Sequence, residues 1–127
     1  MQHEPSYENV ILDVDAFFEE RIEKAKRFGI KKIVLDVGIG FGKSLEHNLT
    51  LLKHHEHFLH FGYPLLVGAS RKSMIDKIIS SPISERLAGS LALHLKAYEH
   101  GATILRVHDV KAHVQALSVL RALNLTV

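Results

Sequence analysis

The chain has 127 residues, a formal charge of +2, ten histidines and no cysteine. That length suits one ordinary domain with a real core, and the lack of cysteine excludes disulfide frameworks and thiolate metal sites. No apolar run could span a bilayer, no secretory signal is read, and the scattered basic residues give no sign of a nucleic-acid surface, so a cytoplasmic domain with no membrane or nucleic-acid partner is expected.

Residues 1–12 hold a proline and polar residues without a period, and read as a loop. Asp13 is placed to cap a helix whose apolar positions Val14, Phe17, Phe18, Ile22, Ala25 and Phe28 follow helical spacing, with Gly29 as its stop. Lys31 to Asp36 reads as a buried strand of the parallel kind, rich in Ile, Val and Leu. After a glycine loop, Leu45, Leu49, Leu52 and Leu59 stripe a second helix that ends at Gly62 and Pro64. Leu65 to Ala69 is a second strand, followed by a short helix from about Arg71 to Ile79. Ser84 can cap a longer helix running to His100, Thr103 to Val107 is a third strand, and Asp109 stands at the N-cap of a last helix striped by Val110, Val114, Leu117 and Leu120.

Strands separated by helices demand a parallel sheet, and nothing in the chain suggests an internal boundary, so residues 1–127 are read as one unit. Three parallel strands leave two open edges. A closed (β/α)8 barrel takes roughly 250 residues and gathers its chemistry at the C-terminal strand ends. The chain is about half that length with polar clusters at all three such ends, so the expected fold is α/β, half of a TIM barrel with about three βα units.

The first cluster is Asp36-Val37-Gly38-Ile39-Gly40-Phe41-Gly42-Lys43. A P-loop would need glycine where Val37 stands, and a dinucleotide fingerprint would need it at Lys43. A tight turn explains the glycines but not the acid, aromatic and lysine beside them, so a ligand loop is expected. The second, Gly68-Ala69-Ser70-Arg71-Lys72-Ser73, opens a helix, where backbone N–H groups favour anions; an ordinary N-cap with a solvated charge pair is an equal reading. In the third, Arg106 and His108 lie two apart and share a strand face, Arg106 able to stack on a planar ring or pair with phosphate and His108 to donate to the same anion. His54, His57 and His60 resemble a metal ladder, but no acid completes it on the same face, and Phe58, Leu59 and Phe61 crowd around; a solvated face is expected, and no metal ligand is assigned.

Taken together, these clusters, with His47-Asn48-Leu49, Glu85-Arg86-Leu87-Ala88-Gly89-Ser90 and Gly101-Ala102 in order, make the chain strongly resemble the dihydropteroate synthase family, the folate-pathway enzymes that sulfonamides inhibit. Only the second half of the family pattern is present, and Met1-Gln2-His3-Glu4-Pro5 looks like an internal Met-Gln segment. Val37 departs from the family's usual proline. The resemblance implies transfer of a dihydropterin-methyl group from its pyrophosphate to p-aminobenzoate. It implies that Asp36, Gly40, Phe41, Lys72 and Arg106 hold the pterin and that Ser70, Arg71 and Ser73 meet the aminobenzoate. Arg106 and His108 would then meet the pyrophosphate, with Lys72, Arg106 and His108 as the catalytic set. It further implies Mg2+, with its ligand in the missing half, and a homodimer. The isolated chain is expected to show little or no turnover. Two rivals are a pterin-binding methyltransferase domain and a non-catalytic half-barrel that self-associates.

Overall fold

The computed structural model describes residues 7–126. The order is α1 (Tyr7–Arg27), β1 (Leu35–Asp36), α2 (Leu45–Lys53), a 3₁₀ helix (His55–Phe61), β2 (Leu65–Val67), α3 (Ser73–Ile78), a 3₁₀ turn (Ile83–Glu85), α4 (Leu87–Glu99), β3 (Ala102–Leu105) and α5 (Val110–Leu125). The strands form one parallel sheet in the order β1-β2-β3, as in a partial barrel. Leu35 pairs with Leu65 and Asp36 with Leu66; on the other side Leu65, Leu66 and Val67 pair with Ala102, Ile104 and Leu105 across one irregularity.

The core lies between the sheet and the helices that cover one of its faces. Leu35, Leu65, Val67 and Ala102 are buried there against Val14, Phe18 and Ile22 of α1, Leu51 and Leu52 of α2, Phe58 of the 3₁₀ helix and Ala97 of α4. Phe18 is the aromatic hub: its ring stands edge-on to Phe58 at 5.6 Å and to Phe61 at 5.8 Å. Gly29 and Gly62 end their helices at φ +78° and +80°, a left-handed conformation that glycine adopts without a Cβ penalty.

Several expectations need correction. Residues 7–12 are helical rather than a loop, because Val10 and Ile11 extend the buried stripe of Val14 upstream; Asp13 is therefore inside α1, not its cap. The Met1 to Pro5 segment lies outside the described residues. The strands are shorter than expected; in the first, Val34 is half exposed, and among the described residues β1 has a hydrogen-bonded neighbour on one side only. The second helix breaks at His54, and its buried side is Asn48, Leu51, Leu52, His55 and Phe58, while Leu49 and Leu59 face outward. Ser84 sits in a 3₁₀ turn ahead of α4. On α5 the expected stripe stays largely uncovered, with Val110 and Val114 exposed and His113 the buried residue.

Candidate active site

The sheet has a second face, and the site is built on it. Side chains alternate along a strand, so Leu66 and Ile104, paired in register, point away from the helices. Two residues on, Gly68 lies beside Arg106, and two further on, Ser70 lies beside His108. The strand period thus continues past the ends of β2 and β3. Asp36, which pairs with Leu66 on the other side, belongs to the same face.

Gly68, Ser70, Lys72, Arg106, Val107 and His108 line a cavity of about 280 Å³ at this end of the sheet. A Cβ at Gly68 would stand 3.1 Å from Arg106 Nε, so the absent side chain is what lets the guanidinium lie across β2. The Ser70 hydroxyl accepts the His108 backbone N–H at 3.3 Å and bonds the ring Nδ1 at 2.7 Å. By donating to Nδ1 of the neutral imidazole it would place the ring proton on Nε2. Ser70 is buried while Arg106 and His108 are exposed, so a fixed base carries two open donors.

The glycine loop forms the neighbouring wall. Asp36 Oδ1 accepts the Gly38 N–H at 2.8 Å, and buried Asn48 accepts the Gly40 N–H through Oδ1 at 2.9 Å. Lys43 Nζ donates to the Gly38 and Phe41 carbonyls at 2.9 and 3.2 Å. Burial lowers the Lys43 pKa, opposed by the charge of Asp36. Lys43 therefore ties the loop together from inside, and the cation offered outward is Lys72. Its Nζ lies 4.3 Å from the centroid of the exposed Phe41 ring, a cation–π contact, and its stem packs against Gly40.

The structure does not gather every expected site residue. Arg71 takes a left-handed backbone (φ 58°) and turns its guanidinium onto the Asp109 carboxylate at 3.2 and 3.4 Å, away from the cavity. Asp109 is accordingly an ion-pair partner, without a capping hydrogen bond from its side chain. Ser73 is exposed as the first residue of α3, outside the cavity lining.

Other residues hold these loops, and sequence reasoning assigned them no role. Ser90 Oγ accepts the Arg71 N–H at 2.9 Å and donates to the Arg86 carbonyl at 2.7 Å, while Arg86 donates to the Arg71 and Ser81 carbonyls at 3.1 and 2.8 Å. The Glu85-to-Ser90 stretch therefore clamps the Ser-Arg-Lys-Ser turn. Beneath it, His94 Nε2 accepts the Ala69 N–H at 2.9 Å. The His54 to His60 region also differs from expectation, because an acid does join it: Asp15 of α1 meets His57 and His60.

The sequence matches the family model of pterin binding enzymes over residues 1–108. It is 48% identical over 124 residues to the dihydropteroate synthase of Escherichia coli K12, covering 96% of this chain and 44% of that protein. The crystal structure of dihydropteroate synthase from Stenotrophomonas maltophilia superposes with a TM-score of 0.92 at 42% identity, over 100% of this chain and 49% of that one. The Xanthomonas albilineans enzyme in complex with 7,8-dihydropteroate does so with a TM-score of 0.91 at 42% identity, over 97% and 49%. The chain spans about half the length of the relatives it matches. With this fold, this polar sheet end and this family match, the chain belongs to the pterin-binding enzyme family, as three βα units of its TIM barrel.

Proposed function

We propose that the chain forms the pterin- and pyrophosphate-facing part of a dihydropteroate synthase. The observation that carries this reading is the convergence of Lys72, Arg106 and His108 on one cavity, beside the loop bearing Asp36 and Phe41. In the proposed reaction the pterin's CH2–O bond to pyrophosphate breaks, and the electron pair leaves with the pyrophosphate. The amine of p-aminobenzoate forms the new C–N bond and then loses its proton. Electrostatic stabilisation of the leaving anion is the largest demand, which Arg106 and a His108 N–H are placed to meet. Arg106 and Phe41 also offer planar groups to a pterin ring, Gly40 leaves room against Lys72, and Asp36 offers a carboxylate to the ring's N–H edge. The relative solved with 7,8-dihydropteroate supports this ligand class.

The aminobenzoate subsite is the less developed part. Ser70 is engaged by His108 and Arg71 by Asp109, so a carboxylate reaching this turn would find Ser73 and the Lys72 cation first. The cavity presents donors and cations, whereas Mg2+ takes oxygen ligands in octahedral geometry. The donor set does not fit that ion, and Mg2+ would have to be held by groups outside this chain. Homodimerisation is proposed on the exposed Val110 and Val114, which share one face of α5. A cytoplasmic setting is proposed on the lack of cysteine, and sulfonamide sensitivity on the aminobenzoate reading. No described helix is long and apolar enough to cross a membrane.

Titration of the purified chain with 6-hydroxymethyl-7,8-dihydropterin pyrophosphate tests the assignment. Binding that is lost in Arg106→Ala and weakened in Lys72→Ala is expected; equal binding by wild type and Arg106→Ala would refute it. Turnover by the isolated chain is expected to be undetectable, because the barrel face opposite these residues is open.

A further inference from the structure

On the helical side of the sheet, away from the cavity, Asp15 of α1 lies between His57 and His60. Its Oδ2 is 2.9 Å from His57 Nε2, and its Oδ1 is 2.9 Å from His60 Nε2. We propose that Asp15, His57 and His60 form a binding site for a borderline divalent metal ion, with Zn2+ as its first occupant.

The local fold explains why the three meet. His57 and His60 are three apart in a 3₁₀ helix, which has three residues per turn, so their side chains stack on one face. Their rings lie 5.1 Å apart between centroids. In an α-helix of the same sequence, positions three apart would be turned well away from eclipsed. Asp15 is brought in by the core: Phe18, one turn along α1, packs edge-on against Phe58 and Phe61, the neighbours of the two histidines. The phenylalanine side chains are buried or half-buried under the histidines, so the ligand trio stands on a packed base rather than on a loop.

The donor geometry suits a metal. One atom from each of the three residues can be chosen so that all lie within 4.8 Å of one another. A tetrahedral ion about 2.1 Å from each donor spaces adjacent donors by about 3.4 Å, only a few tenths of an ångström wider than the 2.9 Å contacts between carboxylate and imidazole. Two imidazoles and one carboxylate favour Zn2+, Ni2+ or Cu2+ over the hard ions Mg2+ and Ca2+. At present each Nε2 donates its proton to Asp15; metal entry requires that proton to move to Nδ1. The rings are half-exposed, so the proton can be exchanged through water. A carboxylate is ionised at neutral pH and needs no proton to leave before it binds the ion. Such an ion would fasten α1 to the 3₁₀ helix. The plainer alternative is that Asp15 merely pins two surface histidines.

The experiment is a titration of the chelator-treated chain with ZnCl2, followed by the side-chain resonances of its histidines in NMR. Saturable perturbation of His57 and His60 ahead of the other histidines is expected, with a matching rise in melting temperature and no response to MgCl2. Perturbation centred elsewhere, or none, overturns the site. His57→Gln with His60→Gln keeps an N–H donor toward Asp15 but removes the imidazole ligands. Affinity should fall about a hundredfold or more in that variant. Unchanged affinity with intact circular dichroism would also overturn the proposal.

Discussion

His94 and His113 meet at 2.8 Å, Nδ1 to Nε2, in the buried space between α4 and α5. The Ala69 N–H donates to His94 Nε2 at 2.9 Å, and His113 Nδ1 bonds the Asp109 carbonyl at 2.8 Å. Because Ala69 can only donate and Asp109 O can only accept, both tautomers follow: His94 carries its proton on Nδ1 and gives it to His113 Nε2, and His113 carries its own on Nδ1. The relay links the backbone of the second cluster to that of the third, and it works only while His94 is neutral. Burial, with His113 adding repulsion, pushes the His94 pKa from 6.5 down to about 4. The unfolded chain therefore binds more protons than the folded one between these values, and stability present above pH 6.5 is lost as pH falls toward 4. His55 adds to the same trend, with burial lowering its pKa to about 4. Each group supports a loss of at most about 3 kcal/mol. Urea midpoints at a series of pH values between 7 and 4 should fall steadily, and a flat profile would contradict this account.

His55 offers a cleaner variant. It is fully buried, and neither ring nitrogen has a hydrogen-bond partner among the described residues. An unsatisfied buried polar group costs about 1–3 kcal/mol. His55→Leu, an apolar side chain of comparable bulk among Leu51, Leu52 and Phe58, is expected to raise stability at pH 7 by about 1 kcal/mol. It should also remove one share of the acid sensitivity. A destabilised His55→Leu protein, seen in thermal or urea melts, would mean that the imidazole is hydrogen-bonded in solution.

Gly89 reports on how α4 is held against α3. A Cβ there would sit 2.7 Å from Ile75 Cγ2, closer than packed carbons tolerate, and Ile75 is buried with a stiff branched χ1. Gly89→Ala is therefore expected to lose stability, by about 1–3 kcal/mol, despite alanine's better helix propensity. Ile75→Ala should cost less in the Gly89→Ala background than in the wild type, since it vacates the contested space. Additive losses in a double-mutant cycle would exclude this contact as the cause.

Much of the cavity is readable from local rules. Arg106 and His108 are two apart on a strand, so a shared face follows from the pleat, and the glycines before Lys43 announce a loop that can approach a ligand. Residues that matter through tertiary pairing are not readable in this way. Asn48 and Ser90 are short polar side chains on helices whose backbone partners lie 8 and 19 residues away. Asp15 lies 42 residues from His57, so the missing acid of the histidine ladder could not be found by looking along one helix. The α5 stripe shows the converse limit: apolar spacing marks a face that favours cover, but it does not say that cover exists, and Val110 and Val114 stay exposed among the described residues.

Gly68 and Arg106 give the sharpest test of the cavity itself. A Cβ at Gly68 would lie 3.1 Å from Arg106 Nε and 3.2 Å from Nη2, while no positive φ constrains Gly68. The conflict is therefore with the far end of a long side chain, which can move aside, and Gly68→Ala should leave the melting temperature nearly unchanged. What it should disturb is the guanidinium's position over β2, and with it anion binding. Removing a charge-assisted hydrogen bond costs roughly 1.5–3 kcal/mol, so a partial displacement should weaken inorganic pyrophosphate binding by about tenfold or less. Arg106→Ala should weaken it more. In the Arg106→Ala background the Gly68→Ala change should then have no further effect, because the group it displaces is gone. Calorimetric titration of the four proteins of this cycle measures the coupling directly. Equal effects of Gly68→Ala with and without Arg106 would show that the guanidinium is not what the glycine makes room for.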